Sequence, residues 1–114
     1  METPIPDQWK LTVASILRSG DESKIITRLQ SDLDWQSLFP DSWDYQRFDA
    51  MAKALEMQNV VGRLIETMTE PGETYAFWFQ YEGHSDLYAK INLTPSKQVV
   101  IIYSSHKARK GDKL

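Results

Sequence analysis

The sequence contains no cysteine and has only two histidines, His84 and His106, among its 114 residues. Disulfide bonds, thiol nucleophiles and cysteine-ligated metal sites are therefore excluded, and two imidazoles leave little for zinc. A glycine-rich phosphate loop, a serine nucleophile elbow and a His-x-x-x-His ligand pair are also missing. We therefore expect neither a metal nor a cofactor.

Long apolar runs are absent as well. No stretch approaches the roughly 18 to 20 apolar residues of a membrane helix, and the first ten residues lack the basic start and apolar middle of a secretion signal. These features predict a cytoplasmic protein with no membrane partner. A hydrophobic content of 41%, with four Trp, five Tyr and four Phe, is enough to build the core of one domain.

Charge is distributed unevenly along the chain. Residues 1–86 carry seven Lys or Arg against fifteen Asp or Glu, a balance of −8, whereas residues 87–114 carry six against one, a balance of +5. The basic end predicts contact with an anion such as RNA through Lys107, Arg109 and Lys110. A solvated basic tail without a partner is the alternative that composition leaves open.

Helices are predicted in the first half of the chain. Asp7 is a good cap for a helix over residues 8–19, which Gly20 ends. Apolar residues at helical spacing predict a second helix over 22–30, and residues 31–39 predict a short helical turn.

The clearest helix covers residues 43–56, with Ser42 as its cap. One face carries an apolar stripe, and Arg47 belongs to the charged face that we expect to be in water. Acidic residues near helix starts are assigned to capping rather than to hydrolytic chemistry. They are Asp32, Asp34, Asp41 and Asp44.

Strands are predicted in the second half. Residues 60–68 fit either a helix or the first arm of a hairpin, and their β-branched side chains favour the strand. Strict alternation predicts strands over 75–81 and 87–93, and an apolar run predicts another over 99–104. The connecting turns are too short for parallel crossovers, so these strands should pair antiparallel.

The fold class that follows is α+β: N-terminal helices packed on one face of a three- to four-stranded antiparallel β-meander. We expect a single domain over 1–114. It is mainly helical over 1–57, forms the meander over 60–106 and ends in a basic tail over 107–114.

Alternation also assigns side chains to faces, because every second residue of a strand lies on the same side. If Leu87 and its alternates pack against the helices, Tyr88 and Lys90 lie on the opposite face. On the last strand, Ile102, Ser104 and His106 would share one side, with His106 facing solvent at the strand end. The predicted polar patch joins residues from three strands and the tail. It contains Gln80, Tyr88, Lys90, Ser104, His106, Arg109 and Lys110. Ordinary exposed strand residues are the alternative.

The segments LYAKINL and VVIIYSSHK, joined by a turn, resemble the closing hairpin of the motility-quorum-sensing-regulator family of messenger-RNA-cleaving toxins. They are more loosely similar to RelE-like ribonuclease toxins of the barnase, EndoU, colicin and RelE superfamily. RFDAMAKAL, over 47–55, also looks like a helix that these toxins carry upstream. The resemblance covers about half of the chain and consists mostly of apolar residues.

This resemblance implies that Tyr88 and either His106 or Lys107 belong to an active site. Gln80 matches a further site residue after a small shift, while the family's upstream Lys has no clean equivalent and Arg63 is the nearest cation. It also implies RNA as substrate and a small antitoxin protein as partner.

The chemistry implied is metal-free attack of the RNA 2′-hydroxyl on the adjacent phosphate, which needs a general base, cations and an acid. His106 suits the acid or base, and Lys90, Lys107 or Arg109 could hold the phosphate. Two other classes stay open. One is a non-enzymatic partner-binding module, such as an adaptor or immunity-type protein, and the other is a small-molecule binder.

Overall fold

A computed structural model describes residues 3–57, 60–66 and 68–108. The elements in chain order are β1 (Thr3–Pro4), α1 (Asp7–Ser19), β2 (Ile25–Thr27), α2 (Leu29–Leu38), α3 (Asp44–Glu56), β3 (Val61–Ile65), β4 (Glu73–Tyr81), β5 (His84–Leu93) and β6 (Val100–Lys107). The described strands form one six-stranded sheet in the order β1-β3-β4-β5-β6-β2.

The predicted α+β fold is confirmed. Strands β3 to β6 are consecutive antiparallel neighbours, and the ambiguous stretch at 60–68 contains strand β3. The sheet extends further than the sequence predicts, because β1 adds to β3 antiparallel and β2 adds to β6 parallel. The sheet is therefore mixed, and its parallel pair lies at one edge.

The predicted helix over 22–30 is wrong, since a turn and strand β2 occupy much of it. The carboxylate of Asp21 accepts hydrogen bonds from the backbone N–H and the hydroxyl of Ser23, at 3.0 and 2.6 Å. Such local bonds offer the backbone an alternative to a helix. The N–H of Val100 then bonds the carbonyl of Lys24 at 2.9 Å, which begins the parallel pairing with β6.

Helices α1 and α3 begin and end close to their predicted bounds. The predicted cap Asp7 is wrong by one residue, since the N-cap of α1 is Pro6 and Asp7 is the first helical residue. Gly20 has φ 65°, the left-handed conformation that glycine tolerates best, and closes α1.

The predicted cap Ser42 is wrong by one residue: the N-cap of α3 is Trp43, whose backbone N–H bonds the side chain of Gln46 at 2.8 Å. The hydroxyl of Ser42 instead accepts from Trp35 Nε1 at 3.2 Å.

Two tryptophans attach helices to strand β4. Trp9 on α1 meets the ring of Tyr75 edge-on at 5.0 Å and donates its Nε1–H to the carbonyl of Glu73 at 3.0 Å. Trp35 on α2 stacks on Phe79 with ring centroids 5.8 Å apart. Both tryptophans are 2% exposed, so the helices cover one face of the sheet with large aromatic anchors.

Arg47 is buried, contrary to the prediction that it faces water. It is 1% exposed, and its Nη2 donates to Asp32 at 2.9 Å and to Asp44 at 3.2 Å. The guanidinium also lies 5.9 Å from the ring of Trp35. Asp32 therefore does not act as a helix cap but joins α2 to α3 through a charge pair.

The burial of Arg47 is costly without these partners. Its Nε and Nη1 have no hydrogen-bond partner among the described residues. Because removing a buried charge from water costs several kcal/mol, loss of a partner should destabilise the fold more than the pair's own attraction suggests. The position of α2 against α3 therefore depends on Asp32.

We expect Asp32→Asn to lower the free energy of unfolding by about 1.5 to 3 kcal/mol, because a charged acceptor is lost beside a buried cation. Chemical denaturation measures the change. Asp41→Asn, which removes an exposed carboxylate of the same charge, is the matched control and should change little. Equal effects of the two substitutions would contradict the role given to Asp32.

A surface ion pair joins α1 to α3. Arg18 Nη2 lies 2.6 Å from Glu56 Oε1, and Arg18 also approaches Asp49 at 3.6 Å. The hydrogen bond from Arg18 lowers the pKa of the Glu56 carboxyl below its ordinary value. Stability from this shift is present above the unfolded pKa, about 4.3, and is lost as the pH falls through the lower folded pKa.

Glu56→Gln should therefore lower the melting temperature at pH 7 by roughly 1 to 4 °C, since the pair is half exposed. The difference from the unsubstituted protein should shrink as the pH is lowered to 2, because the carboxyl loses its charge as the pH falls through its folded pKa. Thermal unfolding followed by circular dichroism at the two pH values tests this, with Glu22→Gln as the exposed control. A difference as large at pH 2 as at pH 7 would refute the linkage.

Candidate functional site

The outer face of the sheet is the one opposite Phe77 and Ile91, which pack in the core with the helices. On this face Trp78, Tyr88 and His106 lie directly opposite one another on β4, β5 and β6. The rings of Trp78 and Tyr88 meet edge-on at 5.8 Å, and those of Tyr88 and His106 stack at 5.3 Å with a 24° tilt. We call these three residues the aromatic row.

A second row lies two residues further along the strands. Arg63, Ala76, Lys90 and Ser104 are successive cross-strand partners on β3 to β6. Arg63 is exposed, Lys90 is half-buried, and the small side chain of Ala76 separates them. We call this set the cationic row. Two positive side chains thus lie beside the aromatic row on the same face.

A β-bulge brings the end of β6 onto the outer face. The register pairs Ser104 with Lys90 but Ile102 with Ile91, so Tyr103 is an extra residue on β6. The prediction that Ile102 shares a side with Ser104 is therefore wrong.

Ile102 is in the core at 0% exposure, whereas Ser104 and His106, after the bulge, lie on the outer face. Ser105, between them, is buried on the helix side, where its hydroxyl bonds that of Ser31.

The expectation of a solvent-facing His106 is also wrong. Tyr88 is 7% exposed and His106 is 6% exposed, in part because each ring covers one face of the other. The Nδ1 of His106 lies 2.8 Å from the backbone carbonyl of Lys107. Since a carbonyl can only accept, Nδ1 carries the proton, and Nε2 is the nitrogen suited to accept or deliver one.

The other predicted site residues have different positions. Gln80 is exposed on β4, two residues beyond Trp78 and within the irregular register between Phe79 and Tyr81. Lys107 is exposed at the end of β6. Arg109 and Lys110 lie outside the described residues. The structure thus brings Tyr88, Lys90 and His106 together, with Gln80 at the border.

A strap, residues 68–72, crosses the outer face at the end away from the aromatic row. The carbonyl of Pro71 accepts from Asn92 Nδ2 at 3.2 Å, and Glu70 forms an ion pair with Arg28 near the β2 edge. Asn92 is 0% exposed beneath it. The strap therefore covers the outer face at the end that carries Asn92.

Trp78 is a site residue that the sequence pattern did not single out. It is half-buried and lines a cleft of about 510 Å³ between the C-terminal half of α3 and strand β4. Alternation along β4 already places Trp78 on the face away from the core residue Phe77. This pattern is the signal by which the sequence could have identified Trp78 as an outer-face residue. Gln80 lines the same cleft, so the cleft adjoins the predicted patch.

The described part of the chain contains neither a cluster of potential metal ligands nor a membrane-spanning helix. Within 3–57, 60–66 and 68–108, no three His, Asp or Glu side chains converge in a way that could hold a metal ion. Across the same ranges, no helix has the length and apolarity needed to cross a membrane.

Comparisons of the chain with protein-family models, with curated proteins and with solved structures give no match.

We expect deletion of Tyr103 to destabilise the protein by roughly 3 kcal/mol or more, because the strand must then turn Ile102 out of the core or bury the polar residues after it. Chemical denaturation measures the loss. Tyr103→Ala keeps the extra residue and is the matched control. If the deletion costs no more than the substitution, the bulge does not set the faces of β6.

Proposed function

We propose that this protein is a metal-independent ribonuclease of the toxin type, acting through the outer face of its sheet. The observation that supports this most directly is the stacked pair of Tyr88 and His106 with Lys90 on the same face. RNA cleavage without a metal needs a general base, an acid and cations, and an imidazole with a nearby lysine can supply these roles beside a ring on which a base stacks. The resemblance of the closing hairpin to messenger-RNA-cleaving toxins gives the same assignment.

The roles follow from the chemistry of each group. Nε2 of His106 takes the proton of the ribose 2′-hydroxyl, whose oxygen attacks the adjacent phosphorus. The bond from phosphorus to the 5′-oxygen breaks, leaving a 2′,3′-cyclic phosphate and a 5′-hydroxyl that receives a proton. Lys90 stabilises the added negative charge at phosphorus. Tyr88 stacks on a base or donates the proton to the leaving oxygen.

Substrate binding would use both rows. Aromatic side chains stack on unpaired bases of single-stranded RNA, and nearby cations hold the backbone. Arg63 and Lys90 supply positive charge on the sheet, and Lys107, Arg109 and Lys110 extend it into the tail. A messenger-RNA substrate fits a cytoplasmic protein, and a toxin of this kind would require a small antitoxin protein as partner.

His106→Ala should reduce cleavage of single-stranded RNA in the presence of EDTA by about 100-fold or more, because the general base is lost. The rate is measured with purified protein and a labelled oligonucleotide. His84→Ala is the control and should retain the cleavage rate. It removes the other histidine, which lies outside the proposed site with its ring centroid 5.2 Å from that of Phe39.

Thermal unfolding must accompany this assay, because His106 is nearly buried and its replacement removes ring contacts. The rates are compared at a temperature where both variants are folded. Cleavage that survives in folded His106→Ala, or that disappears in EDTA, would refute the proposed mechanism.

Affinity for RNA should fall steeply with added salt, because cationic side chains release counterions from the phosphates. Replacing Lys107, Arg109 and Lys110 by Ala should reduce the slope of log affinity against log salt by roughly 0.7 for each phosphate that is no longer neutralised. Fluorescence anisotropy at several salt concentrations measures the slope. An unchanged slope would favour a solvated tail.

A second candidate function is a non-enzymatic partner-binding module. Two observations favour it: Tyr88 and His106 retain little exposed surface, and residues 1–86 carry a balance of −8 that suits a basic protein partner. Expression in growing cells separates the two. A ribonuclease arrests growth and loses that effect in His106→Ala, whereas an adaptor arrests growth in neither form.

A further inference from the structure

The cleft beside the aromatic row has an apolar wall and a flat aromatic side. Ala54 of α3, Met57 directly after that helix and Val61 of β3 line it together with Trp78. Trp78 also contacts Tyr88, with ring centroids 5.8 Å apart. The cleft therefore shares one side chain, Trp78, with the aromatic row.

Three polar side chains complete the lining. Lys53 brings an ammonium group, Gln80 an amide and Ser85 a hydroxyl, and all three residues are exposed. The described residues that line the cleft include no carboxylate. A ligand that enters thus meets apolar surfaces, the aromatic side chains of Trp78 and Phe79, groups that donate and accept hydrogen bonds, and the positive charge of Lys53.

These features match a nucleobase joined to a phosphate. A base has two apolar faces that stack on aromatic rings and a polar edge that pairs with an amide or hydroxyl, while its phosphate suits a lysine. At about 510 Å³ the cleft is within the usual size of sites for small ligands. A purely apolar protein segment would leave Lys53 and Gln80 without an obvious purpose.

The position along the sheet assigns this base a place in the substrate. Trp78 and His106 are two strand spacings apart, about 10 Å. A base at Trp78 therefore belongs to a nucleotide close to the one that reaches His106.

We propose that this cleft binds a nucleobase of single-stranded RNA, with Trp78 as the stacking residue and Gln80 as the residue that distinguishes bases. The choice of RNA rests on the proposed function. The base held here determines which phosphodiester bond lies beside His106, so the cleft sets sequence preference.

Binding is measured apart from cleavage, by anisotropy of labelled tetranucleotides of the four base compositions whose 2′-hydroxyls are methylated. Such probes cannot be cleaved by 2′-hydroxyl attack. We expect Trp78→Ala to weaken binding of the preferred tetranucleotide about 10-fold or more. Trp43→Ala removes a tryptophan that is 70% exposed outside the cleft, and should leave affinity unchanged.

Gln80→Ala should reduce the differences in affinity among the four compositions, with little loss for the weakest binder. Because Gln80 is exposed, this variant should fold even if Trp78→Ala does not. A tetranucleotide that lacks one base provides a further comparison. The losses of binding free energy caused by removing that base and by removing the Trp78 ring should not be additive, since each change eliminates the same interaction.

Three outcomes of the RNA-binding measurements would overturn the inference. They are equal affinity for all compositions in the unsubstituted protein, unchanged preferences in Gln80→Ala, and additive effects of base removal and Trp78→Ala. Absence of RNA binding while an apolar peptide binds in a Trp78-dependent way would assign the cleft to a protein partner and also overturn it. Selective binding without any cleavage would refute the ribonuclease mechanism and leave this inference standing.

Discussion

The register of β6 against β5, with its extra residue Tyr103, determines what each face of the sheet carries. Unbroken alternation would place Ser104 and His106 on the side of Ile102, inside the core. Burying such polar groups without suitable partners is costly. The bulge removes this conflict, because the strand turns between Ile102 and Ser104. Each row obtains its member on β6, Ser104 or His106, through this one change of side.

The outer face of the sheet is left uncovered by helices because the described helices all pack on the inner face. Trp9 and Trp35 anchor α1 and α2 on β4, and the buried pair of Arg47 and Asp32 links α2 to α3. A hydrogen bond of 2.8 Å between the hydroxyls of Ser31 and Ser105 adds a polar contact between α2 and β6. The described helices thus pack on one side, while the strap covers only the far end of the other.

Much of the fold could be predicted because its signals are local. Helical spacing predicted α1 and α3, and alternation with short turns predicted the meander from β3 to β6. Strand β2 could not be predicted in this way, since it depends on pairing with a strand near the other end of the chain. The burial of Arg47 depends on a partner in another helix, Asp32, which helix periodicity does not show.

The site was predictable to a similar degree. Alternation alone places Tyr88 and Lys90 on one face. That His106 joins them follows from the cross-strand register and the bulge, which a single sequence does not specify. The stacking that nearly buries Tyr88 and His106 is likewise a property of two paired strands, so exposure could not be predicted from the position of His106 at a strand end.

The most direct test of RNA binding by the outer face is a map of where single-stranded RNA contacts the protein. Amide and side-chain NMR signals are followed while a tetranucleotide with methylated 2′-hydroxyls is added at low salt. If both rows form one binding surface, the signals of Trp78, Tyr88, Lys90 and His106 shift together and saturate at one concentration. Shifts confined to α1 and α3, or no shifts at all, would contradict the claim that the outer face binds RNA.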